Sequence, residues 1–345
     1  MARGGARPTG EAFAALPVVV DAMGGDRAPG EIVAGARQVA EQTDINVTLV
    51  GRPGAMGDTG DLPCIPAAEV IGMDDDPGIG VRKKKDSSLV RAAEAVRDGK
   101  AMAMVSAGNT GATMASALLR MGRLPHVIRP AIATPVPNLK QPWPTVLLDC
   151  GANAECTAPM LVQFAQMGAA FVRKRYGVDQ PRVALLSIGE EKSKGTPLEK
   201  ETHALLADGS GGPGLEFVGN VEGRDFFDGS ADVIITDGFT GNVALKTMEG
   251  TLRFLIGALT DILGRPEVKE TADALYPHLL PFAASLDPDN TGGAMLLGVD
   301  GVCVISHGSS SSVAVVNAIT VAHDLAVGGL VEALAAAVTP IAPVE

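Results

Sequence analysis

Aromatic side chains are scarce in this 345-residue sequence: phenylalanine, tryptophan and tyrosine together make up 3% of it. An aromatic platform for stacked bases is therefore not expected. Basic residues are outnumbered as well, 28 against 40 acidic ones, and the formal net charge of −12 repels a phosphodiester backbone, which needs a basic stripe to displace its counterions. No nucleic-acid partner is expected. The four cysteines (Cys64, Cys150, Cys156, Cys303) contain no CxxC pair, and the five histidines form no HxxxH or HExxH group. Those absences argue against a bound metal and a disulfide framework. No run of 18 apolar residues occurs, so no membrane crossing is expected, although attachment to a membrane surface stays open. The first 16 residues are small, Gly-rich and weakly basic, without an apolar stretch of signal-peptide length. Residues 1–16 are expected to be a disordered extension of a cytoplasmic protein.

What is present is a repeated rhythm. Short aliphatic runs end in small, polar, Gly-rich stretches, and helix-period segments follow. The clearest cases are LPVVVDAMGGDRAP from Leu16, AMAMVSAGNTGA from Ala101, TVLLDCGANAEC from Thr145, RVALLSIGEEKSKG from Arg182, DVIITDGFTGN from Asp232 and GVCVISHGSSSS from Gly301. Unbroken apolar strands alternating with helices predict an α/β fold with a doubly wound, largely parallel sheet covered on both faces. Ligands bind such sheets beyond the carboxyl ends of the strands. Asp21, Asn109, Asn153, Lys194, Asn242 and His307 are expected to fall along one rim there. No long polar stretch divides the chain, so a single domain is expected over 17–335, with a flexible tail over 336–345.

One section breaks the rhythm. From 250 to 288, Leu252, Leu255, Ile256, Leu259, Ile262 and Leu263 recur at helical spacing, and Gly264 with Pro266 ends that helix. A second helical stretch carries Leu275, Leu279, Leu280 and Phe282, giving a hairpin. Phe254 and Ala258 lie outside the first stripe, so the helix is apolar on more than one face. That surface serves either core packing or a dimer contact, or else a membrane surface.

The chemistry is confined to the loops. There is no GxGxxG after the first strand, no GxxxxGK[ST] and no GxSxG, so no nucleotide cofactor or nucleophile elbow is expected. Gly24 and Gly25, and Thr110 and Gly111 beside Asn109, free backbone N–H groups for an oxyanion; Thr240, Gly241 and Asn242 repeat the device. Each asparagine is either a donor to a ligand or a helix cap. Lys192 and Lys194 follow a buried strand, where a lysine either meets phosphate or is simply solvated. The run Arg82, Lys83, Lys84, Lys85 is either an exposed face or a dock for an acidic partner. His307 beside Ser306 and Ser309 is no evidence of a triad, since serines at a helix start usually cap it. Met102, Met104, Met114, Met121, Met160 and Met167 are either core filler or an acyl tunnel.

In this order, VVVDAMGGDRAP, RKKKDSS, VSAGNTGA, LLDCGANAEC, MLVQFAQMGA, VALLSIGEEKSKG, FVGNVEGRDF, TDGFTGNVALKTMEG and SHGSSS resemble the acyl-acyl-carrier-protein:phosphate acyltransferases of bacterial phospholipid synthesis. The likeness runs from about Leu16 to Leu334 and is weaker in the hairpin. It implies conversion of acyl-ACP and inorganic phosphate into acyl-phosphate and free acyl carrier protein. It also implies a fold similar to phosphotransacetylase and the isocitrate and isopropylmalate dehydrogenases. Further implications are a homodimer and peripheral attachment to the inner face of the cell membrane, with Phe254, Leu255, Ala258 and Leu259 as contacts. The product would pass to a membrane glycerol-3-phosphate acyltransferase. Lys194 and Asn242 are the implied catalytic positions. Asp21, Gly24, Gly25, Asn109, Thr110, Gly111, Asn153, Thr240, Gly241 and His307 are expected around the phosphate and substrate, with Arg82 to Lys85 docking the carrier protein. Such a reaction explains the missing triad. Phosphate, with a second pKa of roughly 6 to 7, needs little help from a base, and a thiol of pKa near ~8.5 leaves readily. Two rivals are a dehydrogenase of similar fold and a non-catalytic scaffold that gathers carrier protein at the membrane.

Overall fold

Because the apolar runs are buried on both faces, they form strands at the centre of the computed structural model, which describes residues 9–138 and 140–340. The strands are β1 (Val18–Asp21), β2 (Val47–Gly51), β3 (Cys64–Pro66), β4 (Ala103–Ser106), β5 (Ala131–Val136), β6 (Thr145–Leu148), β7 (Arg182–Leu186), β8 (Glu216–Val221), β9 (Val233–Ile235), β10 (Ala294–Leu297) and β11 (Val302–Ile305). The helices are α1 (Glu11–Ala14), α2 (Gly30–Gln42), α3 (Pro77–Lys83), α4 (Ser88–Arg97), α5 (Thr110–Arg120), α6 (Ala158–Tyr176), α7 (Pro197–Ala207), α8 (Gly238–Leu263), α9 (Lys269–Ser285), α10 (Ser312–Val327) and α11 (Leu330–Ala337). All eleven strands join one sheet in the order β3-β2-β1-β4-β11-β10-β5-β6-β9-β7-β8.

Side chains alternate across this sheet. Val18 and Val20 enter one apolar cluster and Val19 the other; Val302 and Val304 oppose Cys303 and Ile305 in the same way. The first cluster runs from Val18 to Val338 and draws on α2, α6, α10 and α11, so one core underlies both halves of the sheet. The second holds α4 and α5 against the opposite face.

Among the described residues, seven of the ten strand pairings are parallel. The three antiparallel ones lie together, where β10 pairs with β11 and β5, and β5 with β6. Strand direction therefore reverses between the half containing β1, β4 and β11 and the half containing β6, β9 and β7. The expectation of one rim is corrected by this reversal. Register shows what replaces it: Ser106 pairs Ile305 and Ile305 pairs Ala294, while one residue along Met295 pairs Ala133, Ala133 pairs Leu148 and Leu148 pairs Ile235. The carboxyl ends of both halves reach the same height from opposite directions. Their loops face one another across a cleft.

Three boundaries differ from the sequence expectation. Residues 1–8 of the expected extension lie outside the described residues, but its inner end is structured: α1 forms there, Phe13 and Leu16 pack on the core, and the Ala15 carbonyl accepts from Asn46 at 3.0 Å. In the expected tail, α11 runs to Ala337, Val338 is buried and Thr339 Oγ1 accepts from Gln166 at 2.9 Å, while 341–345 lie outside the described residues. The hairpin's first helix begins at Gly238, ahead of 250, because Asp237 caps it by accepting from Thr240 N at 2.9 Å. Its end at Leu263, before Gly264 and Pro266, agrees with the breakers. Among the described residues no single helix is long and apolar enough to cross a membrane.

Phe164 of α6 is fully buried in the larger cluster. Phe164→Ala is expected to cost about 3–5 kcal/mol by leaving a cavity. A lower denaturant midpoint at unchanged slope is the readout.

Candidate active site

Three loops of the first half-sheet meet backbone to backbone. A Cβ on Gly24 would lie 2.7 Å from Gly108 N, and one on Gly25, at φ +109°, would lie 3.0 Å from Gly308 O. Only glycine permits that approach. Beneath them Asp21 is buried and accepts from Ser106 Oγ at 2.9 Å; burial raises its carboxyl above the usual range against its hydrogen bonds. Asp21, Gly24 and Gly25 thus support Gly108 and Gly308, which line the cleft, and are not themselves among its lining residues.

Asn109 is a cap. Its Oδ1 accepts from Ala112 N at 3.0 Å, and its Nδ2 donates to Met73 O at 2.8 Å and Asp75 O at 3.3 Å. Thr110, the first residue of α5, is exposed and lines the cleft. Gly111 admits α3, since a Cβ would meet Pro77 Cγ at 2.7 Å. In the basic run, Lys84 donates to Val70 O at 2.9 Å and pairs with Asp75, which places it among the structural contacts of α3. Arg82, Lys83 and Lys85 are exposed.

From the second half-sheet, Asp149 is buried and accepts from Ile132 N, Ala152 N, Asn153 N and Asn153 Nδ2 at 2.8–3.1 Å. Burial outweighs these bonds and raises its carboxyl. Asn153 also donates to Pro130 O at 2.8 Å and accepts from Gly238 N at 2.7 Å, so it ties this loop to the start of α8. Gly241 rests against the Asp149 carbonyl so closely that no Cβ fits. That contact sets Asn242, which donates to Cys150 O at 3.3 Å and lines the cleft. Thr240 bonds Asp237 at 2.7 Å and faces a separate hollow beside Cys156 and Phe239. Lys194 is exposed, without a hydrogen bond or ion pair to its ammonium among the described residues, and is not among the cleft's lining residues.

The half-open cleft has room of about 180 Å³, against the roughly 10–15 Å³ that one water needs by the same measure. Ile132, Val136, Leu245, Met248 and Leu252 give it an apolar wall, and Met73 and Phe227 add to it. Met102, Met104, Met121, Met160 and Met167 are buried core residues, as the core-filler reading has it, and none of the six methionines singled out in the sequence lines the cleft. Cys150 also lines the cleft, but burial pushes its thiol up to about 12, too high for a thiolate nucleophile near neutral pH.

The cleft also holds a charge cluster. Lys246 Nζ lies 3.1 and 2.9 Å from the two Glu249 oxygens, and His307 Nε2 lies 3.4 Å from Glu249 Oε1. Burial alone would raise the Glu249 carboxyl; its bonds to His307 and Lys246 outweigh it and hold the group at about 2. Of this cluster, the sequence reading named only His307. The missed signal is periodicity, because Asn242, Lys246 and Glu249 stand at i, i+4 and i+7 of α8 and so share one face. Together the groups offer hydrogen-bond donors and a cation beside an apolar wall, which suits a ligand with an anionic head and an aliphatic body.

Known proteins resemble this chain at two levels. A family described as "Fatty acid synthesis protein" matches residues 16–332. A phosphate acyltransferase of Heliobacterium modesticaldum is 46% identical over 319 residues, covering 90% of this chain and 93% of that protein. One from Myxococcus xanthus is 46% identical over 326 residues, covering 91% of each. Among solved structures, a phosphotransacetylase from Streptococcus pyogenes aligns with a TM-score of 0.61 at 18% identity, covering 90% of this chain and 94% of that one. A 4-hydroxythreonine-4-phosphate dehydrogenase from Klebsiella pneumoniae aligns at 0.52 and 13% identity, covering 90% and 99%. These two share the fold.

A depressed carboxyl contributes stability above its unfolded pKa and loses it as pH falls through the folded value. For Glu249 that window runs from 4.5 down to about 2. Glu249→Gln should therefore lower stability at neutral pH, and the gap from wild type, measured by denaturation at a series of pH values, should narrow across that window.

Proposed function

This chain belongs to the fatty acid synthesis protein family and is an acyltransferase to phosphate, and from that premise we propose that its donor is long-chain acyl-ACP. The products are then acyl-phosphate and free acyl carrier protein, and the use is phospholipid synthesis by way of phosphatidic acid. The observation that carries the reading is the cleft itself, where Ile132, Val136, Leu245, Met248 and Leu252 stand beside Asn242, Thr110 and His307. An aliphatic chain and a reacting polar group are accommodated side by side.

A phosphate oxygen of HPO4²⁻ attacks the thioester carbonyl carbon, the C–S bond breaks, and the phosphate proton ends on the departing thiolate. Catalysis is then a matter of desolvating phosphate, aligning it and stabilising the tetrahedral oxyanion. Asn242 is the proposed donor to that oxyanion: among the described residues its Nδ2 bonds only Cys150 O, which leaves its second N–H for a ligand. Lys194, exposed on the loop after β7, is the proposed cation that meets incoming phosphate. Carrier protein, which is acidic, docks on Arg82, Lys83 and Lys85, with Lys84 anchoring the segment through Asp75. The protein acts as a homodimer held peripherally at the inner face of the membrane. Phe254, Leu255 and Leu259 are 72%, 55% and 45% exposed and supply that contact beside Ala258. A membrane glycerol-3-phosphate acyltransferase consumes the product.

Purified protein with palmitoyl-ACP and inorganic phosphate should yield hydroxylamine-trappable acyl-phosphate, sharply reduced in Lys194→Ala. Asn242→Ala should slow it by about a hundred- to a thousandfold. Absence of product while carrier protein still binds would favour the scaffold. Replacing Leu255 and Leu259 together by Glu should abolish sedimentation with anionic vesicles and spare turnover in solution; loss of both would assign the face to subunit contact.

A further inference from the structure

Glu249 is the most sheltered member of the charge cluster: its side chain is 18% exposed, against 51% for Lys246 and 44% for His307. The carboxylate thus lies beneath two nitrogen-bearing side chains whose open sides face the cleft. A second observation adds to this. Ser306 is 5% exposed and lines the cleft, yet its hydroxyl has no hydrogen-bond partner among the described residues. Buried hydroxyls are ordinarily paired, and one left open beside a cavity calls for an acceptor from a ligand. The third is the amino end of α5, an eleven-residue helix, where Gly108 and Thr110 line the same cleft. Asn109 caps the Ala112 amide and leaves those of Thr110 and Gly111 without a protein acceptor among the described residues.

An ammonium, an imidazole, an unpaired hydroxyl and a helix amino terminus converge from three elements: α5, α8 and the loop after β11. Their shared preference is a small tetrahedral oxyanion. Lys194 contributes nothing to this convergence. We propose that Lys246, His307, Ser306 and the amino end of α5 form the seat of the phosphate co-substrate, and that Glu249 is the positioning residue holding Lys246 and His307 over it. The proposal rests on the reading that phosphate is the acyl acceptor. It places the resting phosphate on the α8 face, leaves Lys194 of the β7 loop to meet it on the way in, and makes Asn242, one turn before Lys246, the neighbour that meets the thioester carbonyl.

The test is steady-state kinetics of the full chain with palmitoyl-ACP and inorganic phosphate varied separately, joined to calorimetric titration of phosphate alone. Lys246→Ala and Ser306→Ala should raise KM for phosphate about ten- to a hundredfold, as expected for losing a bond to a charged group, with KM for palmitoyl-ACP unchanged. Lys246→Arg should recover most of the loss. Glu249→Gln should raise KM for phosphate selectively, whereas a merely structural role would move both constants together. Unchanged phosphate KM in Lys246→Ala and Ser306→Ala, in a wild-type protein that does make acyl-phosphate, would overturn the seat and leave the reaction standing. A rise confined to Lys194→Ala would overturn it too. Conversely, wild-type protein that makes no acyl-phosphate but binds phosphate in a Lys246-dependent manner would keep the seat and sink the reaction.

Discussion

The reversal of strand direction at β10 and β5 is the constraint on which the remainder depends. A wholly parallel sheet of eleven strands would send every polar loop to one edge and spread them over about 50 Å at ~4.8 Å per strand. Two half-sheets of opposite direction, offset so that their carboxyl ends share a height, fold that long edge back on itself. Loops after β4 and β11 then confront those after β6 and β9. The small residues follow from this. Gly24 and Gly25 let three loops of one half lie against each other, and Gly241 lets α8 sit on the Asp149 carbonyl of the other.

Two buried carboxylates serve as the internal scaffolding of the loops. Asp21 ends β1 and Asp149 follows β6, each is raised by burial, and each is surrounded by donors from its own neighbourhood. Their job is to fix backbone, which explains why acidic groups at strand ends need not signal acid-base chemistry. Glu249 is different in kind. It is held low by two nitrogen-bearing partners and sits at the cleft surface, where it orders side chains that face solvent.

Much of the fold was legible because burial on both faces leaves a plain trace: VVV, AMAMV, VLL and VII are apolar throughout and could be read as central strands. Direction left no such trace. AIATPV and AMLL carry apolar residues like their neighbours, and nothing in their side chains records that one runs against the next. At the site, the loop motifs pointed to the right places but blurred the roles. GNTG and FTGN read as loops, whereas capping by Asn109 and Asp237 makes them first helical turns. Asn109 is thereby a structural amide, Asn153 is one through its bonds to Pro130, Asp149 and Gly238, and Asn242 is left facing the cleft. Lys246 and Glu249 were overlooked because their spacing has meaning only once α8 is known to begin at Gly238.

The continuity of α8 has a mechanical consequence. Its 26 residues span about 39 Å at 1.5 Å per residue, with Asn242, Lys246 and Glu249 near one end and Phe254, Leu255 and Leu259 beyond them. Gly250 between the two stretches stays helical and no proline interrupts α8, so they form one continuous arm anchored where Gly241 rests on Asp149. A tilt of a few degrees at the exposed end displaces the inner side chains by only tenths of an ångström. The arm's geometry therefore shields the alignment of the cleft from whatever pulls on its outer surface.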